Sequence, residues 1–146
     1  MARFAGGFRT AGAGSTTLPI ASLFAPAAAN PLIYEVGVFN TTATAVAIAL
    51  RRATALGTPG TGREELFIDD ENATATATLV DTHTVAPTLT AGAVRVGSLG
   101  AAIGSGVIWT FGERGLRVPA GTGNGVCIVP LTGTGQICDV YVEWAE

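Results

Sequence analysis

From Pro31 onward the chain alternates large apolar residues with small or polar ones at a period of two. Leu32, Tyr34, Val36 and Val38 fall on one face, against Ile33, Glu35, Gly37 and Phe39 on the other. That spacing predicts a strand, because successive side chains of an extended chain point to opposite sides. Asn40-Thr41-Thr42 interrupts the pattern, which resumes over 44–52 with Val46, Ile48 and Leu50 opposite Ala45, Ala47 and Ala49. Alanine favours helices, but apolar residues at spacing two and interleaved β-branched threonines favour a strand here. The segment 56–62, rich in Gly, Thr and Pro, ends it as a loop.

Further short strands are predicted over 64–68, 73–80, 93–96, 106–111, 115–118, 125–131 and 136–144, nearly all separated by Gly, Pro or Asn turn signals. In the last, Cys138, Val140, Val142 and Trp144 face one way and Asp139, Tyr141 and Glu143 the other. The link Thr132-Gly133-Thr134-Gly135 predicts a C-terminal hairpin with the preceding strand, and Pro130, lacking an N–H, belongs at an edge or bulge. Many short strands and no helical pattern longer than a turn indicate an all-β fold, a single β-sandwich or jelly-roll-like domain over 31–146. Its expected core includes Val36, Val38, Val46, Ile48, Leu50, Ile108, Val140 and Val142. Residues 1–30 are biased to Gly, Ala, Ser, Thr and Pro and carry few large anchors, so they read as a flexible, extended N-terminal arm that orders on a partner surface.

Composition sharpens this picture. Only 13% of residues are charged, about half of the roughly 25% usual for a soluble domain. A surface so poor in charge suits burial against other subunits, and predicts a homo-oligomer, with a trimer favoured. The net charge of −3 is spread along the chain and every basic residue is arginine, so no basic footprint for nucleic acid is expected. No run reaches the roughly 18 apolar residues of a membrane-spanning helix, and no membrane partner is expected.

Candidate chemistry is sparse. His83 is the only histidine, flanked by Asp81 but by no nucleophile motif. Asp69, Asp70 and Glu71, with Asn72, form the densest acidic group, but without the spacing of a calcium loop they predict a solvated turn. Gly97, Gly100, Gly104 and Gly106 precede no helix or Lys-Ser/Thr pair and so read as turn glycines rather than a phosphate cradle. No catalytic residue, metal ligand or cofactor is assigned, and no enzymatic activity is expected. Cys127 and Cys138 would lie directly opposite across a two-residue hairpin loop and diagonally across a four-residue one. Buried free thiols are the expectation, with a bridge left open.

The C-terminal stretch Gly115-Leu116-Arg117-Val118-Pro119-Ala120-Gly121-Thr122-Gly123-Asn124-Gly125, followed by Gly133-Thr134-Gly135-Gln136-Ile137-Cys138-Asp139-Val140-Tyr141-Val142-Glu143-Trp144, resembles small structural proteins of tailed bacteriophages. The resemblance implies a virion component, such as a capsid decoration (cement) protein, a head-fibre base or a tail-associated protein. Its expected partners are the major capsid protein or other virion subunits, with the capsid exterior favoured over the tail. On that expectation the arm contacts the shell through Phe4, Phe8, Leu18 and Phe24. The alternative is a carbohydrate- or receptor-binding β-sandwich module of a phage tail or fibre, for which Trp109, Trp144, Tyr34 and Tyr141 are the candidate stacking residues, although alternation places them more readily in the core.

Overall fold

A computed structural model describes residues 1–146 as an all-β sandwich without helices. The strands are β1 (Arg3–Arg9), β2 (Ala21–Phe24), β3 (Leu32–Asn40), β4 (Val46–Ala55), β5 (Leu66–Phe67), β6 (Thr78–Asp81), β7 (Thr88–Leu99), β8 (Gly106–Thr110), β9 (Leu116–Arg117), β10 (Gly125–Pro130) and β11 (Cys138–Ala145). One antiparallel sheet, called the first sheet below, has the order β5-β1-β11-β3-β8, with β9 paired to the end of β3; the second has the order β6-β2-β10-β4-β7. Each of the pairs β1/β2, β3/β4, β5/β6, β7/β8 and β10/β11 occupies matching positions in the two sheets, so the chain crosses the sandwich at each of these links. Leaving aside the edge pair β5/β6 and the short β9, this is the eight-stranded order of a jelly roll.

The inner faces meet in one core, and Trp144, Phe4, Ile20, Leu23, Ile33, Ile48, Leu50, Leu79 and Ile128 are among its fully buried side chains. Of the expected core residues, Val36, Val38, Val46, Ile48, Leu50, Val140 and Val142 are buried. Ile108 is not: it is 51% exposed while Trp109 is 7% exposed. The run Val107-Ile108-Trp109 is apolar on both phases, and pairing of Trp109 with Val36 and Val107 with Val38 turns those two inward. A register shift opposite Glu143/Trp144 leaves Tyr34 as the extra residue of a bulge, which reverses the phase and brings Ile33 into the core beside Val36.

Two expectations are corrected. Residues 1–30 are not an arm: β1 lies between β5 and β11, and β2 lies between β6 and β10. The domain therefore includes β1 and β2 rather than beginning near Pro31. Phe4, Gly6 and Phe8 alternate inward along β1, and glycine is required at position 6 because a Cβ there would overlap the Leu79 side chain reaching across from the second sheet. Nor do the last two strands form a hairpin. β10 is already paired on both sides by β2 and β4, and β11 by β1 and β3, so neither has a free edge for the other. Cys127 and Cys138 thus sit in opposite sheets, both buried and both free.

Candidate interaction surfaces

The flanks of the sandwich differ. On one, segment 60–63 runs along the outer edge of β6, with the Arg63 N–H donating to the Leu79 carbonyl at 2.8 Å and the Asp81 N–H to the Thr61 carbonyl at 2.9 Å. Beside it, the two-residue β5 and the residue after it present Leu66, Phe67 and Ile68 at 54%, 50% and 48% exposure. On the other flank, β7 pairs only with β4 and β8 only with β3, leaving both outer edges open. Gly97 of β7 packs on Trp109 and Val107 of β8, which closes the core at this end. Arg95 is the only charged residue between Thr88 and Phe111, and its guanidinium carbon lies 5.1 Å from the centroid of the Phe111 ring. Val96, Ile103 and Ile108 are exposed along this flank. Natural edge strands are usually short, charged or covered; this one is long, carries Arg95 as its one charge and is bare.

The outer faces differ as well. β10 is buried along its whole length because segments before β7 fold over the second sheet, where Phe24, Ala53, Val80 and Cys127 form a small outer cluster with Leu89. In contrast, β11 alternates, and Asp139, Tyr141 and Glu143 reach the bare outer face of the first sheet as the alternation predicted. There Tyr141 lies over Gly37 and Phe39 over Gly106, where a Cβ in either place would overlap the ring. The Tyr141 hydroxyl donates to Glu35 Oε1 at 2.5 Å. Burial, the acceptor Glu35 and the nearby charge of Glu35 and Glu143 push the Tyr141 hydroxyl up to about 12. Arg9 grips Asp139 through two bonds of 2.7 and 2.9 Å, which holds that carboxyl below its ordinary range.

The polar clusters beneath the surface are tied to the chain itself. Asp81 accepts the Ala11 and Thr82 N–H groups and pairs with Arg63. Burial alone would raise its carboxyl, but these donors outweigh it and the net shift is downward. His83 is buried, with Nε2 3.0 Å from Ser22 Oγ and its ring against Phe24 at 5.8 Å; burial pushes its pKa down. Burial also raises the thiols, Cys127 to about 12 and Cys138 to about 11. Asp69 accepts the Arg3 N–H at 2.8 Å and Asp70 the Asn72 N–H at 3.0 Å, so the acidic group serves as a turn.

The four residues assigned to shell binding do not form a partner surface. Phe4 stacks on Trp144 at 5.8 Å and is 2% exposed, and Phe24 is 3% exposed beneath the outer cluster. Phe8 is half-buried under Arg63, and Leu18 closes a turn whose N–H donates to Ser15 Oγ at 3.2 Å. Both tryptophans are buried, whereas Tyr34 and Tyr141 are partly open. The exposed run Leu66-Phe67-Ile68 and the open flank were missed on the sequence, since both resemble core strands until their neighbours are known. Compared with known protein families, curated proteins and solved structures, the chain matches none.

Proposed function

We propose that the chain is a structural virion subunit, a capsid decoration protein that self-associates as a trimer and stabilises a preassembled shell from outside. The observation that carries this reading is the open, charge-poor flank formed by β7 and β8. An edge of that length with a single charge is a hazard for open-ended pairing unless another subunit covers it, and closed symmetry is the usual solution. The second contact is Leu66-Phe67-Ile68 on the opposite flank, taking the role first expected of the N-terminal segment. A run of exposed apolar residues on an edge strand serves a partner or is a fault. Each such side chain contributes roughly 1.5–3 kcal/mol when covered, and three copies in a trimer add avidity without any new contact.

Pelleting with undecorated capsids tests the shell contact. The double variant Leu66→Asp, Phe67→Asp should stay in the supernatant while folding normally, because both positions are half-exposed and neither belongs to the core. Co-pelleting of this variant at the wild-type level would overturn the contact.

A further inference from the structure

We propose that the bare outer face of the first sheet is a binding site for a neutral, β-linked polysaccharide strand, stacked on Tyr141 and Phe39. This goes beyond the assembly role and does not depend on it. The two rings are 6.4 Å apart between centroids and inclined by only 18°. Each is laid across the glycine of the next strand, Tyr141 over Gly37 and Phe39 over Gly106, so they pave the sheet side by side. Covering a glycine from a neighbouring strand is in itself a stabilising device of sheets, but here the rings also form a flat platform. The Tyr141 hydroxyl is held by Glu35, which fixes its ring in place before any ligand arrives.

The rim of the platform selects among ligands. Asp139 and Arg9, with side chains 47% and 65% exposed, stand at one end, and Glu143 and Arg3, at 35% and 44%, at the other. An apolar protein surface would strip water from four charged groups without replacing their hydrogen bonds, which is costly. A nucleic acid would meet three carboxylates, Glu35, Asp139 and Glu143, against two arginines. A sugar strand with equatorial hydroxyls fits both parts: its C–H faces lie on the rings, and its hydroxyls donate to the carboxylates and accept from the guanidinium groups. Beside Tyr141, the exposed Gly7 leaves the approach from β1 open.

The test uses the intact chain mixed with insoluble cellulose, chitin and β-1,3-glucan, with bound protein measured after sedimentation. Wild type should be retained on at least one of these and released by the matching soluble oligosaccharide. Phe39→Ala should weaken retention roughly tenfold, while Tyr141→Phe, which keeps the ring but loses its bond to Glu35, should weaken it less. Gly7→Leu supplies a second variant that leaves the aromatic pair untouched: a Cβ at this position meets Tyr141 Cβ at 3.4 Å, so the fold tolerates it and the added side chain crowds the platform. Absence of wild-type retention on all three polymers overturns the proposal, as does undiminished retention by both Phe39→Ala and Gly7→Leu. A fall in oligomer mass caused by Gly7→Leu, without sugar binding by wild type, would assign this face to a second copy and equally overturn it.

Discussion

Replacing Phe4 by alanine tests whether the N-terminal segment is part of the fold or an appendage. Phe4 lies in β1, between Trp144 of β11 and Phe67 of β5 in the pairing register, and its ring stacks on Trp144 at 5.8 Å with an interplanar angle of 29°. At 2% exposure it loses its whole side chain from the core. Truncating a buried phenylalanine costs about 3–5 kcal/mol, a large part of the roughly 5–15 kcal/mol that holds a domain together. At about 2–4 °C per kcal/mol for a chain of this size, the melting temperature should fall by roughly 6–20 °C. Urea unfolding followed by tryptophan fluorescence reads the change, with Trp144 next to the new cavity as a local reporter. Phe8→Ala, at a half-buried position, should cost less. A flexible arm would leave the midpoint of Phe4→Ala unchanged, and that result would refute the placement of β1 inside the sheet.

Val140→Asp should unfold the domain, since Val140 is 3% exposed between Phe8 and Val38 and an unpaired buried charge costs several kcal/mol; cooperative wild-type-like melting would contradict its inward orientation. Stability should fall on acidification in two stages. His83 has a folded pKa below its ordinary 6.5, so the unfolded chain takes up the proton first and stability is lost as pH falls below about 6.5. Asp81, lowered from 3.8, adds a second loss as pH falls through its folded value. Denaturation midpoints of His83→Gln that decline between about pH 7 and pH 5 as steeply as those of wild type would exclude His83 as the source of the first stage. Neither thiol should react with an aromatic disulfide reagent in the native state at neutral pH, because Cys127 and Cys138 are buried and burial pushes them up to about 12 and about 11; fast native-state labelling of either would contradict this.

Strands whose inward residues are all large were legible in the sequence. β4 and β11 show this directly, with Val46-Ile48-Leu50 and Cys138-Val140-Val142-Trp144 facing the core. β1 was hidden because its inward row is Phe4-Gly6-Phe8, where the glycine makes room for Leu79 of the opposite sheet, a contact invisible along the chain. The link after β10 has the chemistry of a hairpin turn, but turn residues set only the direction change and not the sheet the chain enters next. Competition for edges decided that, since β2 and β4 flank β10 while β1 and β3 flank β11. The outward row Asp139-Tyr141-Glu143 was legible, yet its partners Phe39, Glu35 and Arg9 come from two other strands and depend on register. The open flank was harder still, because a neutral strand looks the same in sequence whether its edge is covered or bare.

Light scattering of the purified chain at micromolar concentration tests the assembly claim most directly, paired with a variant carrying Ile103→Asp and Ile108→Asp on the exposed β7/β8 flank. Wild type should give three times the 14.7 kDa chain mass, and the variant should fall to the monomer mass while keeping the wild-type circular dichroism spectrum. A wild-type mass of a single chain, or a variant that assembles as wild type does, would contradict assembly through this flank.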